Sequence, residues 1–231
     1  PVQYQLADYL QDGPNRRIIM AYRGCGKSFL TAGYVLWRLR KNPDTKVLVI
    51  SAAQDRADAF SVFCHDLLRN WFMVKDLFPS DTQRFSKVAF DVYGSKPDQS
   101  PSVRSSGIFG QITGSRADLI VADDVETPQS CETQLIRDKL RESIKEFDSV
   151  IKPGGEIVFL GTPHTQDSIY AKLELAGYTP RIWPALYPTA TKLKNYYGER
   201  LAPKIESQLK DDSTLAGHPT DPGRFNWEEL E

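Results

Sequence analysis

Cysteine is scarce in this 231-residue chain. Cys25, Cys64 and Cys131 are odd in number and lack C-x-x-C spacing, which argues against both a disulfide framework and a zinc site. Long apolar runs are missing as well. No stretch approaches the length of a membrane span, and the opening residues Pro1-Val2-Gln3-Tyr4-Gln5 lack the charged and apolar regions of a secretory signal. Nor is there a surplus of either charge: a net −1 excludes a protein that coats nucleic acid by bulk electrostatics. Local basic patches stay possible, and an enzyme that touches a few phosphates at a time needs no more. The chain carries no internal repeat and no low-complexity tract. What remains is a chain 40% hydrophobic and 26% charged, able to bury a substantial core as one large or two small domains and expected in the cytosol. Its start at Pro1 rather than methionine reads as a piece of a longer polypeptide.

The most informative stretch is Ala21-Tyr22-Arg23-Gly24-Cys25-Gly26-Lys27-Ser28, between a predicted strand at 17–20 and a predicted helix from about Gly26. In a phosphate-binding loop of this kind, successive backbone N–H groups cradle phosphates. The lysine neutralises the terminal oxygens, the serine hydroxyl ligates magnesium, and the following helix adds its positive dipole end. Ala21 stands where G-x-x-x-x-G-K-[ST] has its first glycine, and Gly24 is an additional one. Cys25, a thiol among inward-facing amides at a helix start, is expected to have a lowered pKa and to block hydrolysis when alkylated. Cys64, beside His65, is expected on a helix packed against the sheet.

A partner for the loop lies at Asp118-Leu119-Ile120-Val121-Ala122-Asp123-Asp124-Val125-Glu126, an apolar strand ending in carboxylates. Nucleotide hydrolysis needs one carboxylate to hold the magnesium shell and another to orient or deprotonate water. Asp123 is the metal-side candidate, with Ser28. Asp124 at the strand tip is the preferred base, and Glu126 the alternative. A third strand, Glu156-Ile157-Val158-Phe159-Leu160-Gly161, runs into Thr162-Pro163, where the Thr162 hydroxyl is placed to sense the γ-phosphate.

Further strands are predicted at 46–51, 87–92 and 103–109, with helices at about 26–41, 54–70, 132–149 and 166–176. Nearly continuous apolar strands between amphipathic helices imply a mostly parallel sheet covered on both faces, with ligands at the strand carboxyl ends. The Gly-, Ser- and Pro-rich stretch 93–114, centred on 96–101, reads as exposed loop. After Tyr178 prolines accumulate and the alternation is expected to stop. Residues 1–177 then form the ATPase core and 178–231 a small lid or linker with one helix near 199–210.

Taken together, the loop, 114–118 running into 123–126, Leu160-Gly161-Thr162-Pro163, Trp183-Pro184-Ala185-Leu186-Tyr187-Pro188 and 197–203 give a resemblance that covers essentially the whole chain. It is similar to the ATPase half of the large terminase subunit of T-seven-like podophages, the DNA-packaging motor family. That resemblance implies an α/β, RecA-like P-loop ATPase of the additional-strand class, using ATP and Mg2+ to drive double-stranded DNA into a procapsid. It further implies a homo-oligomeric ring, a pentamer, at the portal protein, a small terminase subunit as partner, and a place in the bacterial host cytoplasm and transiently at the portal vertex. The isolated domain is expected to be able to exist as a monomer.

For the site, the resemblance assigns Arg23 to the γ-phosphate, Tyr4 and Gln5 to adenine, and the run Arg23, Gly24, Cys25, Gly26, Lys27, Ser28 and Phe29 to the nucleotide. A neighbouring subunit's arginine is expected to complete each site, with Arg116 the first candidate and Arg104 the second. The family's nuclease domain would begin about where this chain stops, so no DNA cleavage is expected of it. Two rival classes are a helicase-like translocase, which should bring a second loop that this sequence lacks, and a nucleotide switch that binds without turnover.

Overall fold

The computed structural model describes residues 2–161 and 168–223, the side chain of Cys131 aside. Its centre is a seven-stranded sheet built from β1 (Arg16–Ala21), β2 (Val47–Ser51), β3 (Ala89–Phe90), β4 (Val103–Gly107), β5 (Ala117–Asp123), β6 (Ile151–Gly161) and β7 (Thr179–Trp183). The order across the sheet is β3-β4-β2-β5-β6-β1-β7. Every pairing is parallel except β3 with β4.

The helices are α1 (Val2–Asp12), α2 (Lys27–Lys41), α3 (Gln54–Asn70), α4 (Gln134–Lys145), the single turn α5 (Phe147–Val150), α6 (Ile169–Leu175), the turn α7 (Ala190–Lys192) and α8 (Pro203–Asp211). They cover both faces. Alternate residues of each strand face opposite sides, and the core divides accordingly. In β5, Leu119 and Val121 join Leu10, Leu36, Leu39, Cys64 and Leu68 of α1, α2 and α3 on one face. Ile120 and Ala122 join Leu140, Ile144, Phe147 and Tyr170 of α4, α5 and α6 on the other. A parallel sheet buried on both faces calls for unbroken apolar strands, and Leu119–Ala122 are all fully buried.

Two elements differ from expectation. Helix α1 was not among the predicted helices, yet Val2, Leu6 and Leu10 recur every four residues and are buried against α2. Strand β7 continues the alternation past Tyr178, where it was expected to stop. Pro180 hides it in the sequence, because proline suits a strand only where an unpaired N–H is tolerable, and β7 is an edge strand whose one neighbour among the seven strands is β1. Strand β4 falls within the strand expected at 103–109, so the overlapping stretch 93–114 is exposed loop only in part, with Val103, Ser105 and Ser106 buried.

Candidate active site

Strand β1 delivers the chain to the loop, and two glycines turn it. Gly24 and Gly26 have φ of 82° and 89°, a left-handed region that other side chains rarely adopt. Two successive reversals of this kind aim backbone N–H groups into one concavity and start α2 at Lys27. Ala21 replaces the usual first glycine at no cost, because it is the last residue of β1, in extended conformation. Its carbonyl accepts a hydrogen bond from Lys27 Nζ at 2.6 Å, and the Tyr22 carbonyl lies at 3.4 Å from the same ammonium.

Cys25 corrects an expectation: it is 0% exposed and packs into the core beneath the loop, out of reach of an alkylating reagent. The Cys25 carbonyl accepts from Gln3 Nε2 at 3.4 Å, so a residue the sequence did not single out ties α1 to the loop.

The acidic strand meets the loop across one intervening strand, β6. Ser28 Oγ donates to Asp123 Oδ2 at 3.0 Å, while Asp123 Oδ1 is buried without a hydrogen-bond partner. An unpaired buried carboxylate oxygen is costly. Burial first, and the neighbouring Asp124 charge second, push the Asp123 carboxyl up to about 6. Asp124 has a φ of 45°, the single positive value for a non-glycine among the described residues, and its N–H donates to the Leu160 carbonyl at 2.9 Å. A left-handed aspartate at a strand tip stores strain of about 1 kcal/mol or more.

A cavity of about 200 Å³ is walled by Arg23, Lys27, Arg56, Asp124, Glu126 and the following turn. It brings together three basic and two acidic side chains. Arg56, on the first turn of α3, was not foreseen; it stands where the carboxyl end of β2 feeds a helix, a place that only the strand order brings beside the loop.

Glu126, 2% exposed, is engaged elsewhere: its carboxylate accepts from Ser168 Oγ at 2.8 Å and from the Ile169 N–H at 2.6 Å, holding the start of α6. From α6, Tyr170 covers Gly161 so closely that a Cβ there would come within 1.8 Å of its hydroxyl. Burial drives that hydroxyl's pKa well above its ordinary value. Thr162 lies outside the described residues.

The remaining expected residues are dispersed. Tyr4 is 71% exposed and, with Phe29, borders an apolar cavity of about 830 Å³ between α1, α2 and α3. Gln5 points elsewhere, its Oε1 accepting from Trp183 Nε1 at 3.3 Å. The two side chains meet different neighbours, because adjacent positions on a helix face different directions. Arg116 is exposed at the amino end of β5, roughly 23 Å along the strand from Asp123. From there it cannot reach its own loop. Arg104, on β4, donates to Ser115 Oγ at 2.6 Å and to the Gln111 carbonyl at 3.1 Å, bracing the segment that leads to Arg116.

The concentration of His, Cys, Asp and Glu that would mark a dedicated metal cage is absent among the described residues. Magnesium does not need one, since it is held by one or two protein oxygens together with substrate phosphates. The unpartnered Asp123 Oδ1 and the Ser28 hydroxyl fit that hard, oxygen-preferring ion.

A loop that cradles anions, and a serine touching the acid at the tip of a strand two places away, define a RecA-like phosphate-loop nucleotide-binding protein. No protein-family model matches the chain. Among curated proteins, "Terminase, large subunit" of Enterobacteria phage T3 is 46% identical over 99% of this chain, which spans 40% of that relative's length. The chain belongs to the terminase large-subunit family. Among solved structures, the HK97 bacteriophage large terminase shares the fold with a TM-score of 0.50, at 14% identity, over 93% of this chain and 47% of that one. The Thermus phage P74-26 large terminase ATPase domain gives a TM-score of 0.48 at 16% identity, over 71% of this chain and 65% of that one.

Proposed function

We propose that this chain is the ATP-hydrolysing part of a phage DNA-packaging motor, converting ATP hydrolysis into movement of double-stranded DNA into a procapsid. The observation that carries the reading is the Ser28–Asp123 contact beside an unpaired Asp123 oxygen, which supports a magnesium–ATP site between loop and acidic strand.

In this reading the loop amides and Lys27 bind the phosphates, with Arg23 at the γ-phosphate. Ser28 and Asp123 hold Mg2+, which offsets phosphate charge when bound. Asp124 orients the attacking water and takes its proton; its strained backbone aims the carboxylate into the cavity that Arg23 and Lys27 share. Glu126, engaged with α6, links the acidic strand to that helix and is not the base. Thr162, between β6 and α6, senses the γ-phosphate. Arg116 acts on the site of a neighbouring subunit, and a ring, with five subunits as the working number, follows from that need.

The partners are double-stranded DNA, the portal protein and procapsid, and a small terminase subunit, in the bacterial host cytoplasm and transiently at the portal vertex. No helix of the described residues is long and apolar enough to cross a membrane. The segment beyond β7 acts as a lid, a role supported by the Tyr22 hydroxyl meeting Asp221 at 3.4 Å.

Phosphate release measured with and without double-stranded DNA tests the proposal. Turnover that rises with DNA is expected, and Arg116→Ala should lose assembled-ring turnover at unchanged ATP affinity. Tight ATP binding with no turnover under any assembly condition would identify a switch instead.

A further inference from the structure

The cavity of about 200 Å³ at the carboxyl rim is smaller than the roughly 300 Å³ at which pockets for whole ligands begin. It has room for the end of a phosphate chain. Arg23 and Lys27 enter it from the loop that follows β1, and Asp124 stands just past the tip of β5. Arg56 enters from the opposite flank, because β2, which feeds α3, lies on the far side of β5 from β6 and β1. The two strands end level, with Ser51 of β2 paired to Asp123.

We infer that Arg56 contacts the γ-phosphate of the nucleotide bound in its own subunit, an inference that rests on the ATP-binding reading above and adds a residue to it. The loop amides and Lys27 hold the phosphate chain from the β1 side. Arg56 closes on its outermost oxygens from the β2 side, and so makes the site distinguish a triphosphate from a diphosphate. The guanidinium is free for this, since among the described residues Arg56 forms no ion pair and no hydrogen bond. Its charge is felt at the strand tip: the Asp123 carboxyl, raised by burial and by Asp124, is drawn back down by Ser28, Lys27 and Arg56. Three cations around one small cavity repel one another until an anion joins them.

The side chain extends from a fixed base. Gly107 ends β4 so close to α3 that a Cβ there would lie 3.0 Å from the Gln54 nitrogen. Across that approach the Gly107 N–H donates to Gln54 Oε1 at 3.0 Å, while Gln54 Nε2 and Ser105 Oγ both donate to Asp58 Oδ1 at 2.7 Å. These bonds pin the first turn of α3 to β4 and set the direction from which Arg56 reaches out. Hydrolysis then removes its partner. As water attacks phosphorus its proton passes to Asp124, the bond to the oxygen bridging the β-phosphate breaks, and the departing phosphate takes away the oxygens that Arg56 held.

Titration of magnesium–ADP and of magnesium–β,γ-imido-ATP, which keeps the γ-phosphate without being hydrolysed, into the unaltered chain and Arg56→Ala tests the assignment. The variant is expected to bind the triphosphate analogue about tenfold or more weakly. Its ADP affinity should change by less than about twofold, which also reports an intact loop. Unchanged affinity for the analogue, or equal weakening of both nucleotides, overturns the inference while leaving the nucleotide reading standing. If the unaltered chain binds neither nucleotide, both fall together.

Discussion

The two rims of the sheet treat charge in opposite ways. Toward the amino ends of β1 and β6, Arg17, with 0% of its side chain exposed, is bonded to Glu156 at 2.7 Å, and Arg38 and the Tyr34 hydroxyl join the same carboxylate. Lys152 pairs with Asp118 at 2.9 Å, and Arg104 is tied to Ser115 and Gln111. At the carboxyl rim, like charges stand together instead. Asp123 adjoins Asp124 with one oxygen unpartnered, and Arg23, Lys27 and Arg56 share one small cavity with Asp124 and Glu126, three basic groups to two acidic ones. Buried charges are ordinarily paired because desolvation is costly. Charges paired within the chain hold the fold together; a rim left unbalanced awaits a ligand with complementary charge.

The comparison is broken most severely by attacking the paired rim. Glu156→Ala leaves Arg17 buried without its counter-ion and should cost about 3–5 kcal/mol of unfolding free energy, measured by denaturant titration. Turnover per folded molecule should stay unchanged. At the other rim the pattern inverts. Lys27→Ala should slow phosphate release on the order of 100-fold or more with an unchanged unfolding midpoint, since its ammonium bonds only loop carbonyls.

Asp123→Asn sharpens the contrast further. With a carboxyl raised from 3.8 to about 6, the folded chain binds this proton more tightly than the unfolded chain does. That contribution to stability is present in full below pH about 4 and is lost as pH rises through about 6. The substitution should flatten that slope and stabilise the nucleotide-free chain at pH 7 by about 3 kcal/mol, while abolishing magnesium-dependent turnover. Thermal unfolding across pH measures the first effect; equal slopes in both proteins would contradict it. The smallest effect belongs to the half-exposed pair at the amino rim, where Lys152→Ala should cost below about 1 kcal/mol and leave turnover alone.

Much of this was legible in the sequence, because the loop, the acidic strand and β6 are continuous segments whose residue types carry their own chemistry. Periodicity located α2, α3 and the apolar strands. Strand β7 was hidden by Pro180, whose meaning depends on being at a sheet edge, and edges are a property of strand order. Arg56 and Gln3 were missed for a related reason: each is an ordinary surface residue in its own segment and becomes a loop neighbour only after the strands assemble. For Cys25 the direction of the side chain decided the outcome, and no pattern of residue types states whether a loop thiol faces ligand or core.

Calorimetric titration of magnesium–ATP into the unaltered chain and into Lys27→Ala tests the unbalanced rim most directly. The account predicts saturable one-to-one uptake by the unaltered chain and affinity lower by on the order of 100-fold in the variant, at the same thermal unfolding midpoint. Equal affinity in the two proteins would contradict it.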